Sequence, residues 1–496
     1  MLIILWLFLA AIAWRVLSRL WIHPLRQYPG PRLAAISNLP YLYQALSGNS
    51  HAWIRELHDE YGSVIRIRPN ALTYRSFEAW TDIYGHRKQG ALPFSKDPEF
   101  YTPAPSGQTH IVNANEADHT RQKRLLTHAF SEKSLRDQES LVMSYVDLFI
   151  RQLHTLANAK QPVDMEEWLN FLTFDIIGDL AFGEPFGCLE ESKYHPWVAT
   201  IFKSIKTGAF LRAFSIYPVF VLLIRKAMPK SLIQKRLAHY QMSKDKLTKR
   251  LQTNTTRPDF TSYILKHNDS EKGMLRQEMD LNAAIIIQAG SETTATVLAA
   301  AVFYLQKRPE WQRKLIEEVR GAFPTDESIT FLASSKLPIL NAVIEESLRL
   351  FPPLPVIGPR VVPQGGAQID GKHVAEGISV SVAHYSAFRA HSNFKEPDSF
   401  LPERWIDYKD PSNPFHLDRR EALQPFSYGP RACIGRNLAY AEMRTILAKF
   451  FWHFDVSLEQ ESDQWDQCKS YIVWEKDPLF VKLESVPSTE EKKVRK

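Results

Sequence analysis

The residues with the clearest chemical potential lie in Phe426-Ser427-Tyr428-Gly429-Pro430-Arg431-Ala432-Cys433-Ile434-Gly435, just ahead of an apolar helical run toward Phe450-Phe451-Trp452. The chain has 3 cysteines, and Cys433 is set between glycines two positions after an arginine. A cysteine ahead of a helix meets outward-pointing backbone N–H groups and the positive end of the helix dipole, and both favour thiolate over thiol. Gly429 and Gly435 clear side chains on either side, so a flat or bulky group can approach the backbone. A thiolate with open space before it can be a nucleophile or a metal ligand. The alternative is a buried structural cysteine, the usual fate of a lone one.

Other stretches could also do chemistry. Ala289-Gly290-Ser291-Glu292-Thr293-Thr294 places glycine and polar groups inside an otherwise apolar helical pattern, which is costly where burial is complete. Thr293 can bond back to the Ala289 carbonyl four residues earlier and loosen the helix, with Gly290 leaving a notch on that side. A tolerated kink in a core helix is the alternative. Glu346 and Arg349 fall at i and i+3 on one helix face, a spacing that more often gives a solvated pair. Pro402-Glu403-Arg404-Trp405 follows, and His119-Thr120-Arg121-Gln122-Lys123-Arg124 is a basic segment.

These residues need elements to position them. The stretch from Glu278 to Gln306 is apolar on nearly every side without proline, which predicts a buried helix of about 42 Å at 1.5 Å per residue. Glu132 to Gln306 reads as almost entirely helical, broken near Pro162, Gly187, Pro229 and Pro258. Ser63–Arg68 and Ala71–Tyr74 flank a Pro69-Asn70 turn as a β-hairpin, and short strands return at Arg360–Val362 and Ile378–Val382. The class is mainly α with a small β region and no βαβ alternation.

The ends and the charge add constraints. Residues 1–22 begin with an apolar run interrupted by Arg15 and Arg19; with those side chains snorkelling, the run reaches the ~20 residues that span a bilayer. Arg15, Arg19 and Arg26 follow the run, so an uncleaved anchor would leave the body on the cytosolic side. A cleaved secretory peptide is the alternative. Residues 23–34 hold Tyr28-Pro29-Gly30-Pro31, read as a stiff hinge; 35–485 form the main domain, and 486–496 a charged tail predicted to be disordered. A net charge of +6 on 496 residues gives no reason to propose nucleic acid, and suits an anionic membrane or an acidic partner. The scattered cysteines exclude a disulfide framework or a zinc site.

Phe426-x-x-Gly429-x-Arg431-x-Cys433-x-Gly435 resembles the haem-binding signature of the cytochrome P450 superfamily. The resemblance implies that Cys433 is the axial thiolate on the iron of haem b, that Phe426 packs beside the sulfur and that Arg431 pairs with a haem propionate. The haem would lie between the long central helix and the helix after the Cys loop. Glu292 and Thr293 match the oxygen-activation motif and would hold the waters that deliver protons. His119 and Lys123 match propionate-contacting positions, with Arg124 as a substitute for Lys123, and Arg360 matches a propionate arginine. Glu346, Arg349 and Arg404 match the family's structural triad, with Trp405 in place of its usual Phe. Softer patterns, Tyr28–Ala34 and Ala79–Arg87, are similar to microsomal fungal enzymes of secondary metabolism such as the trichothecene hydroxylases.

The resemblance implies a membrane-anchored monooxygenase on the endoplasmic reticulum that hydroxylates or epoxidises a lipophilic terpenoid or polyketide. No Gly-x-Gly-x-x-Gly follows a strand, so electrons would come from a separate NADPH-cytochrome P450 reductase, with cytochrome b5 as a further donor. The pocket is expected from Pro93–Asn113, Ala209–Val221, Ile287–Thr294 and Pro355–Gly358, regions rich in apolar and aromatic residues. An isomerase, dehydratase or peroxide-driven enzyme on the same scaffold is one rival, and a non-enzymatic haem carrier another.

Overall fold

The computed structural model describes residues 2–486 except 88–89, 102–106, 218–229, 254–256, 269–272 and 357. The expected tail therefore lies, apart from Val486, outside the described residues. The architecture is mainly helical with small sheets, as read from the sequence.

The central helix runs Arg276–Lys307, 32 residues. It begins where the Glu278 carboxylate accepts the Leu275 backbone N–H at 2.8 Å and ends ahead of Pro309, which opens the next helix. Ser291, Thr293 and Thr296 each donate a hydroxyl to the carbonyl four residues earlier, at 2.7, 2.6 and 2.8 Å. Those bonds let polar side chains sit inside a core helix without stranded donors. The helix packs on Met165–Phe182, which is buried along its length except at Glu166 and Glu167, and on Arg436–His453, the helix after the Cys loop. These three helices and Glu132–Asn158 share one continuous hydrophobic core.

A 5-stranded sheet flanks this body in the order Val64–Arg68, Ala71–Tyr74, Ser379–Val382, Arg360–Val361, Ser95–Lys96. The hairpin forms as predicted. Ala71–Tyr74 also pairs parallel with Ser379–Val382, strands far apart in sequence that local alternation could not join. Trp80 and its neighbours on Phe77–Tyr84 cover the sheet in a second core.

The amino-terminal helix Leu2–Leu17 continues through a wider turn, Ser18–Ile22, and no residue of the 21-residue stretch is buried. Arg19 folds back onto the body, donating to the Ile36 carbonyl. The hinge is also packed. Pro29 O accepts the Arg66 N–H at 2.8 Å, and a Cβ on Gly30 (φ +147°) would meet Arg66 O at 2.5 Å.

Candidate active site

Loop geometry fixes Cys433. Its N–H donates to Phe426 O at 2.8 Å, and Ala432 N–H to Gly429 O at 3.0 Å. Gly435 caps Arg436–His453, and the N–H groups of Gly435 and Arg436 lie where they favour a thiolate at Sγ. The side chain is accessible yet enclosed by protein, so it faces an internal space. Burial pushes its thiol up, while those N–H groups, Lys123 and Arg436 pull toward thiolate. Cys188 and Cys468 are buried and pushed up to about 12, which leaves them as inert packing residues.

The two loop glycines have different reasons. Gly429 sits at φ +73°, and a Cβ there would lie 2.1 Å from Tyr84 O. Its role is packing against backbone rather than clearing the way for a ligand. A Cβ on Gly435 would make ordinary contacts, 3.8 Å to Phe130 and 3.9 Å to Cys433 Sγ. The Phe426 ring packs on Tyr440 at 5.1 Å between centroids.

On the central helix, Ala289 is exposed and Thr293 half-buried, although the turns after them are packed core. Residues four apart share a helix face, so this stripe, like Cys433, opens on interior space. Gly290 does not leave the expected notch there. A Cβ on it would meet Ile177 Cδ1 at 2.7 Å, so the gap is already filled by the neighbouring helix. Thr294, on the packed side, is hydrogen-bonded to the buried Glu442 of Arg436–His453, whose carboxyl burial pushes up to about 8.

A cluster of positive charge lies near the loop. Arg431 donates to Ala114 O and to Glu116, each at 2.9 Å. Lys123 donates to Pro430 O. Arg360 is buried, its guanidinium 5.3 Å from the Tyr84 ring centroid. His119 is buried and pushed down to about 3, by burial and then by Arg431, Lys123, Lys96 and Arg360. Arg124 is exposed. Lys96 was missed in the sequence; its ammonium sits 4.0 Å from the Tyr101 ring centroid, pushed down to about 6 by burial, Arg360 and Arg431, against Glu116. Lys96 also pairs directly opposite Arg360 across two antiparallel strands, where like charges repel. Arg431, Arg360, Lys123 and Lys96 thus gather near the His119 imidazole, with Glu116 paired to Arg431. A dianionic ligand beside an enclosed thiol fits this set, so the residues present suit haem with its two propionates.

Glu292 is buried, and its Oε1 lies 2.8 Å from Lys476 Nζ. The structural triad comes together at full burial. Glu346 accepts from Arg349 at 2.7 and 2.9 Å, Arg404 at 3.1 Å, Leu401 N–H at 2.8 Å and the Trp405 indole at 2.8 Å. A separate cavity opens between the sheet and Pro196–Ser215. Phe100, Ala209, Ile216 and Pro355 line it as anticipated; Asp97, Glu99 and Arg212, from the same expected stretches, and Arg68 make it more charged than expected, and no central-helix residue lines it. The expected pocket residues 102–106, 218–221 and 357 lie outside the described set.

Residues 28–483 match the family described as Cytochrome P450. The chain is 66% identical over 471 residues to cytochrome P450 monooxygenase astJ of Aspergillus oryzae, covering 95% of this chain and 94% of that one. It is 42% identical over 465 residues to cytochrome P450 monooxygenase efuB of Hormonema carpetanum, covering 93% and 92%. It is 42% identical over 481 residues to averantin hydroxylase of Dothistroma septosporum, covering 96% and 89%.

Proposed function

We propose the following division of labour for a chain that belongs to the cytochrome P450 family and is a haem-thiolate monooxygenase. Cys433 ligates the iron of haem b. Arg431, Arg360, Lys123 and His119, joined by Lys96, hold the propionates, and Glu292 with Thr293 moves protons. When bound, the haem supplies the oxygen-activating chemistry that no side chain provides. One oxygen atom enters a C–H or C=C bond of the substrate and the other leaves as water. The balance takes two electrons from NADPH and two protons.

The observation that carries this reading is the convergence of the Gly435 and Arg436 N–H groups on an accessible but enclosed Sγ. Thr293 Oγ1 donates to Ala289 O at 2.6 Å, which leaves its lone pairs free to accept from a water in the gap. Passing a proton on requires the hydroxyl to turn from Ala289 O toward the gap. A family member needs a redox partner; we assign NADPH-cytochrome P450 reductase, with cytochrome b5 as a further donor, drawn to a chain of net charge +6. Leu2–Ile22 supports an anchor in the endoplasmic reticulum membrane. The relatives support a lipophilic secondary metabolite as substrate, since one of them is named for hydroxylating averantin.

The test is the reduced carbon-monoxide difference spectrum of the membrane-expressed protein. A Soret band far to the red of a His-ligated haem is expected. It should vanish in Cys433→Ala; its survival there would remove Cys433 as the ligand. Thr293→Ala should keep the band and divert reducing equivalents to peroxide, and unchanged coupling would take Thr293 out of the proton path.

A further inference from the structure

Glu292 and Thr293 are consecutive, so their side chains leave the helix about 100° apart. Thr293 faces the accessible gap. Glu292 faces the packed seam against Met165–Phe182 and the carboxy-terminal segment, and its residue is 2% exposed. There Lys476 Nζ reaches Glu292 Oε1 at 2.8 Å, Thr296 Oγ1 at 2.8 Å and Glu166 Oε1 at 3.3 Å. An ammonium has three donors, and all three have a partner. Glu166 Oε1 also accepts from Asn170 at 2.7 Å. Glu292 Oε2 is buried with no hydrogen-bond partner among the described residues.

We propose, building on the assignment of Glu292 to proton delivery, that Lys476 and Glu166 are positioning residues which hold the Glu292 carboxylate in the seam and loosen it toward Thr293 when Glu166 is ionised.

The argument is one of charge. Two carboxylates share one ammonium, with Glu292 and Lys476 buried and the Glu166 side chain 16% exposed, which leaves one negative charge uncompensated. A proton on Glu166 removes that excess and leaves the whole charge of Lys476 to Glu292, so Glu292 is pinned. With Glu166 ionised, the ammonium is divided between two carboxylates, and Glu166 repels Glu292 across it. Glu292 then turns more easily to collect a proton on Oε2 and pass it toward Thr293 Oγ1. Burial drives Glu166 up to about 7 against the pull of Lys476, with Glu292 and Asp164 pushing the same way. Lys476 is kept charged: burial disfavours its ammonium, but Glu292 and Glu166 outweigh that and raise it. The other titratable groups facing the cluster are Asp164, Glu167 and Tyr194. Asp164 is committed to the N–H groups of Glu166, Glu167 and Leu479. Burial and these carboxylates raise the Tyr194 phenol, which stays neutral throughout.

The first measurement is infrared difference spectroscopy of the resting holoenzyme across pH. One protonated-carboxyl carbonyl band, distinct from that of Glu442, should disappear through neutrality and be lost on Glu166→Gln; a carbonyl difference spectrum that this substitution leaves unchanged overturns the assignment. The second is the pH profile of coupling, product formed per NADPH consumed. It should rise about threefold to tenfold through neutrality, the scale of coupling between neighbours in one network. Glu166→Gln should flatten it at the low-pH value, Glu166→Asp should shift its midpoint and keep the slope, and Lys476→Arg should keep both. A slope that survives Glu166→Gln refutes the device. Failure of the underlying reading looks different: Glu292→Gln would then leave coupling unchanged while the Glu166 band still titrates.

Discussion

Removing the carboxylate of Glu346 should cost this protein much of its stability. Glu346, Arg349 and Arg404 have fully buried side chains, and Asp418 pairs with Arg404 beside them. Two carboxylates thus balance two guanidinium groups. In Glu346→Ala, Arg349 keeps its bonds to the carbonyls of Phe388, Pro397 and Ser399, and Arg404 keeps Asp418. One buried positive charge is left uncompensated, and the Leu401 N–H and Trp405 indole N–H lose their acceptor. Breaking a buried pair from one side costs about 3–5 kcal/mol, a large part of the roughly 5–15 kcal/mol that holds a domain folded. Holoenzyme yield should therefore collapse.

Trp405 gives the sharper test, because the structure assigns it a bond that phenylalanine cannot make. Its indole donates to Glu346 Oε2 at 2.8 Å, and that oxygen also accepts from Arg349 Nε at 2.9 Å. Trp405→Phe therefore strands no acceptor and should cost only the charge-assisted bond, about 1.5–3 kcal/mol. The assay is the urea midpoint, followed by far-ultraviolet circular dichroism and haem absorbance, in a double-mutant cycle with Glu346→Gln. The two substitutions should be non-additive by about 1 kcal/mol or more. A Trp405→Phe cost below about 0.5 kcal/mol, or strict additivity, would refute the bond as a stabilising contact.

Three other outcomes follow from buried groups. Glu442 has its carboxyl raised to about 8 by burial, with the Thr294 bond offsetting part of that; the fold therefore favours its protonated form. That contribution is full below the unfolded carboxyl pKa of ~4.3 and is lost as pH climbs through about 8. Glu442→Gln should flatten the fall in Tm between pH 5 and about 8, and an unchanged slope would exclude Glu442 as its source. Gly290→Ala should cost about 1–3 kcal/mol by overpacking, because the new Cβ meets Ile177 Cδ1 at 2.7 Å. Adding Ile177→Val deletes Cδ1 but leaves Cγ1, 2.9 Å from the new Cβ, so it should recover part of the lost urea midpoint, and no recovery would place the strain elsewhere. Lys96→Met should speed haem loss about tenfold, the worth of one charge-assisted bond, measured by transfer to apomyoglobin; slower loss would mean that repulsion from Arg360 outweighs any propionate contact.

The residues legible in the sequence share one property: their meaning is set by near neighbours. A thiolate ahead of a helix, a hydroxyl bonding four residues back and a Glu-x-x-Arg pair are all local arrangements, and the central helix carrying the hydroxyl is legible from its apolar pattern. The misread or missed residues depend on partners more than about a hundred positions away. Gly290 looked like a ligand notch because Ile177 could not be placed against it, and Gly429 looked like a clearance because Tyr84 O was not in view. Lys96 is an ordinary lysine until the sheet sets it opposite Arg360. Glu292 looked like half of a local acid–alcohol pair, yet its carboxylate is held by Lys476, from the far end of the chain. A motif therefore identifies the groups that meet the cofactor, because those must be presented at fixed spacing on one element. It says little about the groups that tune them, since any element of the fold that passes nearby can supply a charge. In this protein that tuning would lie outside every signature stretch, and Glu166 and Lys476 are the positions at which to look for it.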